Sequence, residues 1–128
     1  MDIINQGLLS LVDAIHPKCE NELQYFVEKY GSGFSNILLK RLMTLNLLGK
    51  NAIEQRANFE LLKHIHDVDI YSMRVKARGF NIRILYTYYS GQKSFLLCAF
   101  YEKSGKSHTG YKKHVDLAKS RLEEEYHE

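Results

Sequence analysis

Apolar side chains recur at helical spacing as far as residue 48 and, beyond residue 68, at every second position. Leu8, Leu9, Leu11, Val12 and Ile15 make one stripe, which predicts a helix from about Ile3 to Ile15. Leu23, Phe26 and Val27 predict a second from Glu20 to Lys29, stopped by the Tyr30–Gly33 run, where glycine tolerates the left-handed conformation that ends a helix. A third is expected from Ser35 to Leu48, mixing Ile37, Leu38, Leu42, Leu45 and Leu48 with a basic edge of Lys40 and Arg41, and ending at Gly49. Residues 51–67 show neither period and read as a loop or a short helix. In the alternating part, Tyr71, Met73 and Val75 face one way, while Ile70, Ser72, Arg74, Lys76 and Arg78 face the other. After a turn at Gly79, Phe80, Ile82, Ile84 and Tyr86 face inward and Arg83, Leu85, Thr87 and Tyr89 outward. Lys93–Tyr101 is apolar on both faces, which predicts a central strand covered on both sides. Tyr111 to Tyr126 closes the pattern as a helix with Val115, Ala118 and Leu122 inward; its acidic end, where the helix dipole favours bases, predicts a frayed tail. The expected fold is α+β: N-terminal helices, an antiparallel meander of three or more strands, and a C-terminal helix. A length of 128 residues suits one domain, with 1–58 the helical part and 59–128 the sheet and closing helix.

Composition narrows the class. No apolar run approaches the roughly 20 residues that span a bilayer, and the start lacks the basic first segment of a signal peptide. Cys19 and Cys98, far apart, make no disulfide framework, so a reducing cytoplasm is the expected compartment. There is no CxxC and no paired His/Cys spacing; His64 and His66 share a strand face, but two histidines alone make a poor site. No metal and no cofactor are expected. The net charge is +3, but its placement is uneven. Residues 1–60 carry 6 basic and 7 acidic side chains, and residues 61–128 carry 12 and 8. Between 70 and 115, nine Lys and Arg face a single acid, Glu102. Solvated lysine on a sheet edge accounts for a few of these charges. Nine beside a nearly neutral half point to a polyanion, with nucleic acid first among the candidates.

The chemistry available fits RNA. Arg74, Arg83 and Lys76 on an open sheet face, with Lys103 and Lys106 at its margin, make a cationic surface for phosphate, which arginine grips as a fork and lysine as a point charge. Arg78, Lys112 and Lys113 extend it, and Tyr89, Tyr101 and Tyr111 are candidates for stacking on unpaired bases. RNA carries its own nucleophile, the 2′-OH. Metal-free cleavage then needs a proton acceptor, a proton donor and fixed positive charge around the phosphorus. His108 and Tyr111 lie beside Lys103 and Lys106 in the stretch Ala99–His114 and are candidates for the proton transfers. Each has a plainer reading. Arg83 could pair with an acid on the last helix and Arg74 with Glu123. His108 could be a surface histidine, and Tyr111 could pack at the helix start. Glu102 could be a base or could tether a lysine. Arg121 reads as structural, with its stem packed across the sheet.

The pieces FELLKHIHDVDIYSMRVK, FNIRILYTYY, FLLCAFYEKSGK and VDLAKSRLEEEY, in that order, resemble the RelE/ParE superfamily of toxins from bacterial type II toxin–antitoxin systems, in particular its phage-derived HigB-like branch. The resemblance covers roughly Phe59 to Tyr126, and the first 58 residues lie outside it. It implies a RelE-like fold and a toxin that enters the ribosome and cuts mRNA without metal. Its implied partners are the ribosome, mRNA and a cognate antitoxin, expected to be a helix-turn-helix protein. It also implies that Arg74 and Arg83 match the family's strand arginines, that Lys103 matches the lysine after the apolar strand, and that Lys106 matches a second basic position. Glu102 stands where many relatives have another lysine, and His108 and Tyr111 have no matched counterpart. The expectation is a ribosome-dependent mRNA endonuclease that inhibits translation, with Arg83, Lys103, Lys106, His108 and Tyr111 catalytic and Arg74, Lys76, Arg78, Tyr89, Lys112 and Lys113 binding RNA. Two alternatives remain open: a ParE-like gyrase inhibitor, and a phage RNA-binding or regulatory module that does not cleave.

Overall fold

A computed structural model describes residues 8–65, 67–102 and 108–125, with the backbone alone for residues 8, 9, 65 and 108–111. The chain forms β1 (Ala14–Ile15), α1 (Pro17–Tyr30), α2 (Ser32–Leu48), β2 (Phe59–Ile65), β3 (Val68–Ala77), β4 (Phe80–Tyr89), β5 (Lys93–Tyr101) and α3 (His108–Glu125). The five strands make one sheet in the order β1-β5-β4-β3-β2. Neighbours are antiparallel except β1, which runs parallel to β5. The fold is α+β, as the pattern of side chains implied.

Local chemistry sets the helix limits. The His16 side chain caps α1, its Nδ1 accepting the Lys18 N–H at 3.1 Å, and Pro17 stands where a missing N–H costs nothing. Gly31 separates α1 from α2. Its φ of +70° with ψ of −150° suits only glycine; its N–H bonds to Val27 O at 2.8 Å, and its carbonyl accepts from Phe34 and Ser35.

Two expectations are corrected. The helix read from Ile3 to Ile15 is absent where it can be compared: Leu8–Leu11 is a 3-10 turn and Ala14–Ile15 is strand β1. The open edge of β5 takes this segment. Ala14 pairs with Phe95 and Ile15 with Leu96, Asp13 Oδ2 accepts the Ser94 N–H at 2.8 Å, and His16 N–H bonds to Leu96 O at 2.9 Å. The unassigned stretch after residue 50 becomes a 3-10 turn (Gly49–Glu54) and edge strand β2, which has an irregularity between Leu61 and Lys63.

The sheet is covered on both faces. Leu23, Phe26, Phe34, Leu38, Leu42 and Leu45 of α1 and α2 pack on the face of Met73, Ile82, Ile84 and Tyr86. Val115 and Ala118 of α3 pack on the other, against Ile70, Leu85, Leu97 and Phe100. β5 is buried from Ser94 to Phe100, as its apolar run implied. Leu97 is the extra residue where the β4–β5 register slips, and its carbonyl accepts Arg121 Nη1 at 2.9 Å. Arg121 also grips both oxygens of Glu22 on α1, at 2.9 and 2.7 Å, and Glu22 accepts the Ala99 N–H. Near the far end of α3, Glu124 bonds to His16 Nε2 at 2.9 Å. These contacts bind α1 and α3 across the sheet. Among the described residues no helix is long and apolar enough to cross a membrane.

Candidate nucleic-acid interface

Arg74 on β3 and Arg83 on β4 are direct cross-strand partners. Like charges so placed repel unless an anion joins them. Glu102, the residue after β5, is that anion: Arg83 Nε donates to its Oε1 at 2.8 Å, and Arg74 Nη2 lies 3.9 Å from the same oxygen. The Glu102 N–H continues the strand ladder to Asn81 O at 2.8 Å, which fixes the carboxylate over the arginines. Arg83 Nη1 also donates to Ser72 Oγ at 2.9 Å and lies 3.9 Å from Glu60 on the edge strand. Arg83 is therefore not the solvent-facing cation that alternation implied; it is 6% exposed and satisfied by two acids. The physical reason is that β3 and β5 flank it, and the acids lie 19 and 23 residues away in sequence. Arg74 is more open, with 31% of its side chain exposed, and it pairs with Glu102 rather than Glu123. Its backbone is held from below: Arg41 Nε donates to Arg74 O at 2.7 Å and Arg41 Nη2 to Asn58 at 3.1 Å. Burial lowers the pKa of Arg41 from its ordinary value.

Around this cluster the surface is basic. Lys76 and Arg78 are exposed at the end of β3, and Tyr101 is exposed at the end of β5. Lys112 and Lys113 are exposed on α3, with Lys112 3.6 Å from Asp116. The face assigned to RNA is narrower than alternation suggested, because α3 packs over Ile70 and Leu85, and Ser72 is buried with Arg83 bonded to it. Tyr89 is not brought to the arginines. It lies six residues further along β4, roughly 20 Å away, half-buried against Phe95. Lys103 and Lys106 lie outside the described residues. His108 and Tyr111 belong to the first turn of α3, where the backbone alone is described.

One residue of the same stretch escaped the sequence reading. His114 lies flat on Phe100, ring centroids 3.7 Å apart and planes 3° apart, and Phe100 is the cross-strand partner of Arg83. The only available signal was its place three positions after Tyr111, one helical turn along. Burial pushes the pKa of His114 below the usual histidine value; Lys113 and Arg121 push the same way and Glu22 opposes them.

The opposite end of the sheet holds an open hollow of about 920 Å³, lined among others by Lys50, Asp69, Tyr71, Tyr88 and Glu123. Tyr71, Tyr86 and Tyr88 form an aromatic cluster there, and Lys50 lies 5.7 Å from the Tyr88 ring centre. Burial raises Tyr88 to about 12 and Tyr86 further, and both hydroxyl oxygens are buried without a hydrogen bond of ordinary geometry. His64 pairs with Asp69. Among the described residues no group of three His, Cys, Asp or Glu is placed to hold a metal ion.

No curated protein and no solved structure matches the chain. The sequence model described as phage derived protein Gp49-like (DUF891) matches residues 39–123, well over half of the length. The match runs from α2 through four of the five strands and most of α3, so it includes Arg74, Arg83, Glu102 and His114. The chain thus belongs to the Gp49-like family of phage-derived proteins.

Proposed function

We propose that this protein is a RelE-like, HigB-type toxin of a type II toxin–antitoxin system, one that cuts mRNA on the ribosome in the cytoplasm without metal. The observation that carries the reading is the convergence of Arg74 and Arg83 on Glu102 at the strand ends, with Lys76 and Arg78 exposed just beyond them in the chain. A phosphodiester arriving there competes with Glu102 for the guanidinium groups, which suit its paired oxygens. Arg83, Lys103 and Arg74 hold the scissile phosphate. Lys106, His108 and Tyr111 supply proton transfer and base stacking. The phage-derived family and the resemblance to RelE-type sequences support the same assignment. A cognate antitoxin, a helix-turn-helix protein, holds the toxin inactive.

The satisfied ion pair of Arg83 favours a second reading in which the basic margin binds without cutting, as in a gyrase-directed toxin or an RNA-binding module. Induced expression in a bacterial host, with 5′ ends mapped on a reporter mRNA, separates the two. New ends inside codons, lost when translation is blocked and lost in a Lys103→Ala/Lys106→Ala variant, are expected. Growth arrest with intact mRNA and a DNA-damage response would identify gyrase as the target.

A further inference from the structure

We propose that His114 is the general base of the RNA site. The inference rests on the endonuclease reading and adds to it a group that the sequence pattern did not single out. Three observations carry it.

The first is position. Phe100 and Arg83 are partners across β4 and β5, and the His114 ring covers Phe100. Imidazole and guanidinium are therefore separated by one side chain on the same face of the sheet, at the end where Glu102 and the exposed bases gather. The second is orientation. Face-to-face stacking at 3.7 Å fixes the plane of the ring and leaves its nitrogens at the edge. No hydrogen bond to either ring nitrogen is formed among the described residues, in contrast to His16, whose two nitrogens are engaged by the Lys18 N–H and Glu124. A half-buried imidazole held rigid with its nitrogens available is arranged for proton exchange rather than for cohesion. The third is charge state. Lys113 and Arg121 on α3 and Glu22 on α1 act on the ring, while Arg83 of β4 and Glu102 beyond β5 stand on the same face. Burial and the cations together favour the neutral form at neutral pH, the form that accepts a proton.

In the step assigned to it, the unprotonated nitrogen of His114 takes the proton of the ribose 2′-OH. The 2′-oxygen forms a bond to phosphorus as the bond from phosphorus to the 5′-oxygen breaks, and that oxygen takes a proton from water. The products are a 2′,3′-cyclic phosphate and a 5′-OH, and imidazolium returns its proton to solvent. The arginines balance the charge on the phosphorane.

The test is single-turnover cleavage of ribosome-bound mRNA by the purified full chain across a range of pH, for the wild type and His114→Phe. Phenylalanine keeps the stack on Phe100 and removes only the nitrogens. The expected result is a wild-type rate that falls on the acid side with an apparent pKa below the usual histidine value. The variant loses about 10²–10⁴-fold in rate, and with it that acid limb, while ribosome binding is unchanged. His114→Ala with added imidazole is the second measurement, and partial recovery of rate is expected. A His114→Phe variant that cuts at the wild-type rate with the same acid limb overturns the assignment and leaves the endonuclease standing. A wild type that binds ribosomes and arrests growth but cuts nothing overturns both.

Discussion

Glu102 holds two guanidinium groups with one oxygen, and that economy makes it the most informative single residue in the molecule. Glu102→Gln keeps the shape and takes from Arg83, almost wholly buried, the carboxylate at 2.8 Å that balances its charge. Breaking a buried pair in this way is expected to cost about 3 kcal/mol, read by urea unfolding. Because the internal competitor for phosphate is gone, binding of single-stranded RNA at low salt should tighten several-fold. Weaker binding would place Glu102 on the side of RNA recognition instead. His114 makes a second prediction at the same scale. Its pKa is lower in the folded chain than the value near 6.5 expected when unfolded, so the unfolded state takes up the proton first as pH falls. The histidine then makes no demand above about pH 6.5, and stability declines below it. His114→Phe should flatten that acid slope in chemical unfolding. The sequence displayed both arginines and their charge excess, but the distance in the chain from Arg83 to Glu102 and Glu60 concealed that Arg83 is already paired. Side-chain alternation reports a face, not what stands above it.

At the level of elements, the passage from α1 to α2 depends on one backbone conformation. No atom comes within 4 Å of a Cβ added at Gly31, so Gly31→Ala creates no clash; the cost is the backbone angle alone. About 1–3 kcal/mol of stability should be lost, with little change at the end of the sheet that carries Arg74 and Arg83. If thermal unfolding shows no loss, the two helices do not need this break. The helix stop was readable from the glycines, and so were β3 and β4 from their period of two and β5 from its continuous apolar run, with turns at Gly79 and Gly91 between them. β1 was not readable. Two residues cannot display a period, and the leucine-rich stretch before them fits a helix as well as it fits a turn. What decides the matter is the vacant edge of β5, more than 75 residues away, with Asp13 and His16 supplying the bonds that hold the short strand on it. β2 was obscured in the same way: its residues show no clean alternation, and its irregularity sits in mid-strand.

Seen as a whole, the molecule is fastened by contacts between its ends. Asp13 reaches Ser94 across 81 residues, Glu22 reaches Arg121 across 99, and His16 reaches Glu124 across 108. Arg121→Ala should be among the most damaging single changes. It removes a bidentate partner from Glu22 and a donor from Leu97 O, and a loss of about 3 kcal/mol in urea unfolding is expected. A loss below 1 kcal/mol would mean that the strap is ornamental and that apolar packing alone holds α3 to the sheet. These fastenings also set an order in time. As the chain is made, α1 and α2 emerge before the sheet that buries their apolar faces, and the strap between Glu22 and Arg121 waits until α3 has followed the sheet. Non-local closure of this kind is slow compared with helix formation. On the endonuclease reading, a nascent polypeptide that has not yet reached Glu102 is harmless to the machine that is making it, since Arg74 and Arg83 have not yet been brought together on that carboxylate.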